Sequence, residues 1–349
     1  MTKRLSPESF DFPVDEIKSG LYSDIYFLRT QEILNHANYH PTVTMQIFQR
    51  DYAVLCGIDE AIALIKRCAY HPEKIKIRAL HDGDRIEPWE TVMTIEGDLA
   101  DFSHLETVYL GIIARQTKVA TNCAKAVEAA NGKPVLFFPS RFDHYAVQKG
   151  DGYAAKVGGM ANVSTPANAI SWGIEAAGTI PHALIAACGG DTLKATKMFD
   201  EYIDPKINRV ALVDFNNDCV GTSLKVAREL GDKLYGVRLD TSDKMVDVSL
   251  IGQMGHFKPT GVNEQLVRNV REALDAEGFN HVKIMVSGGF NPERIRLFET
   301  NNVPVDVYAV GSNIFATNAD FTADIVLVDG KPCAKAGRAF SRSEERRVG

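Results

Sequence analysis

The stretch Val282-Lys283-Ile284-Met285-Val286-Ser287-Gly288-Gly289-Phe290-Asn291, followed later by Val305-Asp306-Val307-Tyr308-Ala309-Val310-Gly311-Ser312-Asn313, decides the fold. Each segment is a short apolar run that stops on glycine. Such a run suits a strand buried on both faces, as in a parallel sheet. Between the two, Asn291 can cap a short helix and Pro292 suits its first position. Strand, helix and strand, with glycine turns at the strand ends, is the repeat of a (β/α) barrel. Two such turns leave backbone N–H groups free to hold one anion. The ligand this implies is a phosphorylated sugar.

The same texture extends upstream. Residues 135–138, 209–213 and 234–239 are apolar runs, the last two followed by Asp214 and Asp240. Ser223 is the candidate cap of a helix that reaches Leu230 and stops at Gly231, and residues 262–277 make an amphipathic helix that Gly278 ends. These elements predict an α/β chain with an irregular (β/α) barrel over about residues 115–315. Earlier residues read differently. Residues 43–49 alternate, with Val43, Met45 and Ile47 on one face; 60–67 are helical, 85–90 turn-like and 92–98 a strand. They predict an α+β open-sandwich domain over 1–114, rejoined by a strand at 324–328 within 316–340. A long helix over about 104–130 leads into the barrel. Residues 341–349 carry no apolar pattern and are expected to be disordered.

With 349 residues and a formal charge of -6, the chain lacks the basic balance of a general nucleic-acid binder, although a local basic pocket remains compatible with it. The 6 cysteines form no CxxC pair and no zinc-finger spacing, which fits buried thiols in a reducing cytosol. No apolar signal core opens the chain and no run approaches a membrane span. A cytoplasmic protein without nucleic-acid or membrane partners is expected.

In a parallel barrel the C-terminal strand ends face the active site. The polar residues there are Arg141, His144, Asp214, Asp218, Arg238, Asp240, Ser287 and Ser312. Acids and arginines beside two glycine turns suit a ligand with a phosphate, ribose hydroxyls and a charged base. The alternative for Asp214 and Asp240 is that each only caps the next helix. His182, in Gly178-Thr179-Ile180-Pro181-His182, reads either as a structural histidine or, given the backbone that glycine and proline impose, as a site residue. His256 and His281 read as structural or surface residues. Residues 158–165 lack the Gly-Lys-Ser/Thr ending of a P-loop, and no GxGxxG follows a first strand, which argues against a P-loop ATPase and a Rossmann dehydrogenase.

Taken as a set, these motifs resemble the nicotinate phosphoribosyltransferase family in its compact archaeal and bacterial form, over roughly residues 20–340. Ser23-Asp24-Ile25-Tyr26 resembles its Thr-Asp-x-Tyr and Phe138-Pro139-Ser140-Arg141 its Phe-x-x-Arg. Residues 178–182 resemble its Gly-Thr-x-x-His. Arg238-Leu239-Asp240-Thr241-Ser242-Asp243 resembles its Arg-x-Asp-Ser-Gly-Asp, and the two glycine turns resemble its phosphate turns.

The resemblance implies transfer of phosphoribosyl from phosphoribosyl pyrophosphate to nicotinate, a step of NAD salvage, with Mg2+ on the pyrophosphate. It implies ATP as well, through phosphorylation of His182. Asp240 would stabilise the cation-like ribose. Tyr26 and Phe138 would stack on the pyridine ring, Tyr26 reaching into a partner subunit of a homodimer or larger homo-oligomer. Arg141 would fork a carboxylate or phosphate, with His144 beside it, Asp214 would face the substrate, and Arg238 would hold phosphate or pyrophosphate. Ser287, Gly288, Gly289, Gly311 and Ser312 would cradle the 5′-phosphate.

The chain departs from the family at Ala161-Asn162, where many relatives carry an acid, which favours an acid substrate over the amide. It departs again at Thr241-Ser242, which puts a metal role of Asp243 in doubt. The nearest rival is quinolinate phosphoribosyltransferase, whose dicarboxylate would need Lys149 or Lys156 beside Arg141 and His144. A non-catalytic phosphate sensor predicts loss of the acid at the reaction centre, yet Asp240 is present. A Schiff-base lyase needs a lysine at a strand end, whereas Lys283 stands at a strand start.

Overall fold

The structure is a computed structural model that describes residues 4–255 and 257–341. The expected disordered tail, Ser341 apart, lies outside the described residues, as does His256. The chain forms two compact units. One takes it up to Thr121 and again from Thr317; the other is Asn122–Ala316.

The first unit is built on β1 (Thr42–Phe48), β2 (Lys76–Ala79), β3 (Thr91–Asp98), β10 (Thr322–Val328) and β11 (Lys331–Pro332). They form one antiparallel sheet in the order β11-β10-β1-β3-β2. The chain end enters beside β1, with Val43 opposite Val328 and Phe48 opposite Thr322. Its longer helices are α1 (Ile25–His36), α2 (Ile58–Cys68) and the start of α3 (Glu106–Ala129). Val43, Met45 and Ile47, spaced by the strand period, share a core with Ile58, Ile62 and Ile65 of α2. The stretch 85–90, read as a turn, begins with two strand residues: Ala53 pairs with Ile86 and Val54 with Arg85. A ladder this short shows no period in the sequence.

The second unit carries β4 (Val135–Phe137), β5 (Asn162–Val163), β6 (Arg209–Leu212), β7 (Leu234–Leu239), β8 (Lys283–Val286) and β9 (Val307–Val310). All pair in parallel, in the order β5-β4-β9-β8-β7-β6. The sheet curls into a half-barrel that stays open between β5 and β6. The α/β class, an irregular barrel plus a separate antiparallel domain, therefore holds. Helices α4 (Gln148–Val157), α5 (Thr192–Tyr202), α6 (Cys219–Leu230), α7 (Glu264–Ala276) and α8 (Pro292–Thr300) accompany the strands.

Local chemistry sets the helix bounds. On α7, Leu266, Val267, Val270 and Leu274 are buried on one stripe, Asn263 caps the start, and Gly278 turns the chain with φ 81°. Asn291 caps α8 as expected, its Oδ1 accepting the Arg294 N–H at 2.8 Å. The cap of α6 differs from the expectation. Asp218 accepts the Gly221 N–H at 2.8 Å, and Ser223 lies buried inside the helix. A Cβ at residue 221 would stand 2.3 Å from the Asp218 carboxylate, so glycine makes room for this cap. Buried Arg209 opens β6 and donates to Asp200 at 2.9 Å and to the carbonyls of Ile203 and Asp204 at 2.8 Å, strapping the end of α5 to the strand that delivers Asp214.

Cys56, Cys68, Cys123 and Cys219 are buried thiols, whereas Cys188 is half-buried and Cys333 exposed. No helix among the described residues is long and apolar enough to cross a membrane.

Candidate active site

Strand register assembles the site. Val286 lies beside Leu239, so Ser287 and Asp240 follow side by side, and Leu212 beside Arg238 brings Asp214 to the same rim. Val310 beside Phe137 brings Gly311 next to Phe138. Side chains two residues apart share a face. Leu136, Met285, Val307, Ala309 and Phe138 form one apolar cluster, and Asp240 and Ser287 continue the face of Arg238 and Met285 one step outward. A polar rim thus stands on an apolar floor.

Asp240 is held from two sides. Ser287 Oγ donates to its Oδ1 at 2.8 Å, and Arg238 Nη1 stands 3.8 Å from its Oδ2. It caps no helix. Burial pulls the Arg238 pKa below the ordinary arginine value; Asp240 and Asp214 oppose that and Arg141 adds to it. The buried Arg238 Nε meets no hydrogen-bond partner among the described residues.

Asp214 also caps nothing. His182 Nε2 meets its two carboxylate oxygens at 3.0 and 3.1 Å, with Asp214 almost buried and the ring exposed. Burial raises the Asp214 pKa, His182 opposes the rise, and Asp240 adds to it. Asp240 thus has a guanidinium beside it and Asp214 an imidazole. With Nε2 turned to the carboxylate, Nδ1 is the ring atom of His182 that remains for chemistry.

The two glycine turns differ. Gly288 and Gly289 have φ 84° and 72°, the left-handed region that glycine enters without steric cost. A Cβ at residue 288 would also stand 3.3 Å from Asp240 Oδ1. The N–H groups of Gly288, Gly289 and Phe290 meet no backbone acceptor among the described residues. Gly311 is not left-handed; a Cβ there would lie 3.1 Å from the Phe142 ring, a tight contact. Exposed Ser312 opens the short turn Ser312–Phe315. Ser287, expected among the phosphate ligands, commits its N–H to Leu239 O at 2.9 Å and its hydroxyl to Asp240. Its donors are spent inside the protein.

Arg141 lies in the turn Ser140–Phe142, exposed, with its guanidinium 5.0 Å from the centre of the Phe142 ring. Buried Asn168, which no sequence motif marks, fixes this turn. It accepts from Ser140 Oγ at 2.6 Å and from Thr165 Oγ1 at 2.8 Å, and donates to Gln148 O at 2.7 Å. The one signal that could have found it is the Ser-Thr-Pro run just before it, a helix start whose cap is Thr165. His144 is exposed, its Nδ1 accepting the Ala146 N–H at 3.2 Å. Tyr26 belongs to the other unit, exposed on α1. Beside the Gly288 turn a cavity of about 640 Å³ opens, lined by Thr241, Asp243, Lys258, Arg268, Gly288 and Arg294. Among the described residues no group of three or more His, Cys, Asp or Glu side chains is arranged to hold a metal ion.

Comparison with known proteins agrees with this fold. Two family models described as quinolinate phosphoribosyl transferase match, the N-terminal domain over residues 24–117 and the C-terminal domain over 119–328. The structure of a nicotinate-nucleotide pyrophosphorylase from Pyrococcus furiosus is similar with TM-score 0.81 and 36% identity, covering 98% of this chain and 82% of that one. A nicotinate phosphoribosyltransferase of Mycobacterium tuberculosis is 29% identical over 265 residues, 73% of this chain and 54% of the relative. One of Bacillus subtilis is 24% identical over 295 residues, 76% of this chain and 56% of the relative. The chain thus spans about half the length of these curated relatives. Matched along both units, the chain belongs to the quinolinate phosphoribosyl transferase family of phosphoribosyl-transferring enzymes.

Proposed function

We propose that the protein transfers phosphoribosyl from phosphoribosyl pyrophosphate to nicotinate. In this reaction the pyridine nitrogen lone pair forms the bond to ribose C1. The C1–O bond to pyrophosphate breaks, and its electron pair leaves with the pyrophosphate. Charge on the ribose becomes positive on the way, and Asp240 is the group to oppose it. The observation that carries the reading is the fixed Asp240: Ser287 and Arg238 orient its carboxylate beside the glycine turn. Preorganised charge of this kind commonly supplies more of an enzyme's rate enhancement than any other effect.

Charge balance favours a monocarboxylate. Arg238 faces Asp240, so this cation is offset by an acid. Arg141 then stands as the fork for one carboxylate, with exposed His144 in the loop that follows. The names of the mycobacterial and Bacillus relatives point the same way. Quinolinate, with decarboxylation, is the second reading, favoured by the family description and by the name of the Pyrococcus protein.

In this reading magnesium would enter with the substrate pyrophosphate. Bound there, it would neutralise pyrophosphate charge, with Asp240 the rim carboxylate nearest the ribose in this reading. In the ATP-coupled form, His182 would be phosphorylated on Nδ1 while Asp214 holds the opposite ring atom. The assembly we propose is a homo-oligomer in which Tyr26 of one subunit stacks on the pyridine bound by another. Leu21, Ile25, Tyr26 and Ile33, all more than half exposed, lie on or beside the helix that would meet the partner.

The deciding experiment is pyrophosphate release from phosphoribosyl pyrophosphate and magnesium, with nicotinate, nicotinamide or quinolinate, each with and without ATP. Release with nicotinate is expected. Release only with quinolinate, together with carbon dioxide, would replace the first reading by the second. Stimulation by ATP that survives His182→Ala would remove the phosphohistidine.

A further inference from the structure

Arg294 lies in the first turn of α8, against the Gly288–Gly289 turn. Its Nη1 donates to Gly288 O at 2.9 Å and to Gly289 O at 3.4 Å, and its Nη2 donates to Val262 O. Its guanidinium carbon is 4.2 Å from the centre of the Phe290 ring and 5.7 Å from that of Phe298. Asn291, the helix cap, holds the Arg294 N–H. The side chain is therefore fixed at both ends.

In a trans peptide the C=O and N–H point in opposite directions. Drawing the carbonyls of Gly288 and Gly289 onto one guanidinium turns the N–H groups of Gly289 and Phe290 away from it. Neither N–H meets a backbone acceptor among the described residues. Two glycines in succession have wide backbone freedom and would not hold this orientation unaided. The fork of Arg294 removes that freedom, and a cation on the carbonyl oxygens polarises the same peptides so that their N–H groups donate more strongly.

We propose that Arg294 is the positioning residue of the phosphate turn, fixing the Gly289 and Phe290 N–H groups that receive the 5-phosphate while touching no substrate itself. The inference rests on the phosphoribosyl reading of the site and deepens it. Lysine, a point charge without the fork, would engage the two carbonyls less completely.

The test is calorimetric titration of ribose 5-phosphate into the wild type, Arg294→Met and Arg294→Lys, with Tm and the KM values of both substrates measured alongside. Methionine keeps apolar packing against Phe290 and Phe298 and removes every donor. Arg294→Met should weaken ribose 5-phosphate by about tenfold, as two lost hydrogen bonds imply, and Arg294→Lys should weaken it less. KM for phosphoribosyl pyrophosphate should rise by a similar factor, with that of the pyridine acid within about twofold of the wild type. A merely structural role lowers Tm and leaves the affinity of the folded protein intact, and that result overturns the proposal. Should Arg294→Met fail to fold, wild-type affinity in Arg294→Lys overturns it. So does a wild type that binds no ribose 5-phosphate. A wild type that binds it, loses it on Arg294→Met and turns over no pyridine acid overturns the transfer reading alone.

Discussion

Ser287 shows how one hydroxyl separates two roles that sequence merges. It donates to Asp240 Oδ1 at 2.8 Å, and its own N–H is tied to Leu239 O. Its removal frees one carboxylate oxygen without removing the charge. Ser287→Ala should therefore lower kcat by about tenfold, the worth of one hydrogen bond to a charged group, and leave KM for phosphoribosyl pyrophosphate nearly unchanged. Asp240→Asn removes the charge itself and should cost about a hundredfold or more in kcat. A rise in that KM with unchanged kcat in Ser287→Ala would return Ser287 to the phosphate site. At this scale the sequence was only partly legible. Asp240, Arg238 and Gly288 stand at strand ends and could be read from the order of apolar runs. The pairing of His182 with Asp214 could not, because those residues meet only through the fold. Asn168 and Arg294 stayed hidden for a similar reason: both act on backbone and neighbouring side chains, which leaves no motif.

Elements were legible where the period is long or the punctuation strong. The stripe of α7, the cap of α8 and the paired strands β8 and β9 all follow from residue type. The two-residue β5 and the ladder of residues 53–54 with 85–86 are too short to show a period. In α6 the cap moved to Asp218, because the missing Cβ of Gly221 leaves that carboxylate room. The cap of α8 is a clean test, since Asn291 follows the phosphate turn directly. Asn291→Ala should destabilise the protein by about 1 kcal/mol and raise KM for phosphoribosyl pyrophosphate through the loosened turn. A lower Tm with an unchanged KM would uncouple the cap from the site. Charge links elements as well. Glu106, the first residue of α3, is raised to about 7 by burial, with Asp324 of β10 and Asp24 adding to it. A carboxyl raised on folding binds its proton more tightly in the native state. Its contribution to stability is full below the ordinary glutamate range and is lost as pH rises through about 7. Glu106→Gln removes that loss. Between about pH 5 and 8 the Tm of the wild type should fall relative to the variant, on the order of a few degrees. Parallel Tm curves over that range would show that Glu106 is not the titrating group.

At the scale of the molecule the sequence places two kinds of sheet in one chain. Antiparallel β1 and β3 alternate in sequence, whereas β9, and β8 after Lys283, are buried apolar runs, and that contrast in texture carries the fold class. In the proposed assembly Tyr26, on an exposed helix, comes from a different subunit than Asp240. Complementation tests this directly. Asp240→Asn is nearly inactive but keeps Tyr26; Tyr26→Ala keeps Asp240 but loses the stacking group, and its nicotinate KM should rise several-fold. After subunit exchange, a mixed dimer contains one site with both native side chains. The mixture should then regain a component with the wild-type nicotinate KM, at about a quarter of the activity of the same amount of wild type if exchange is random in equal proportions. Activity that is only the sum of the two separate variants, or full activity in a protein that sediments as a monomer, would show that each chain completes its own site and that the exposed face of α1 serves another purpose.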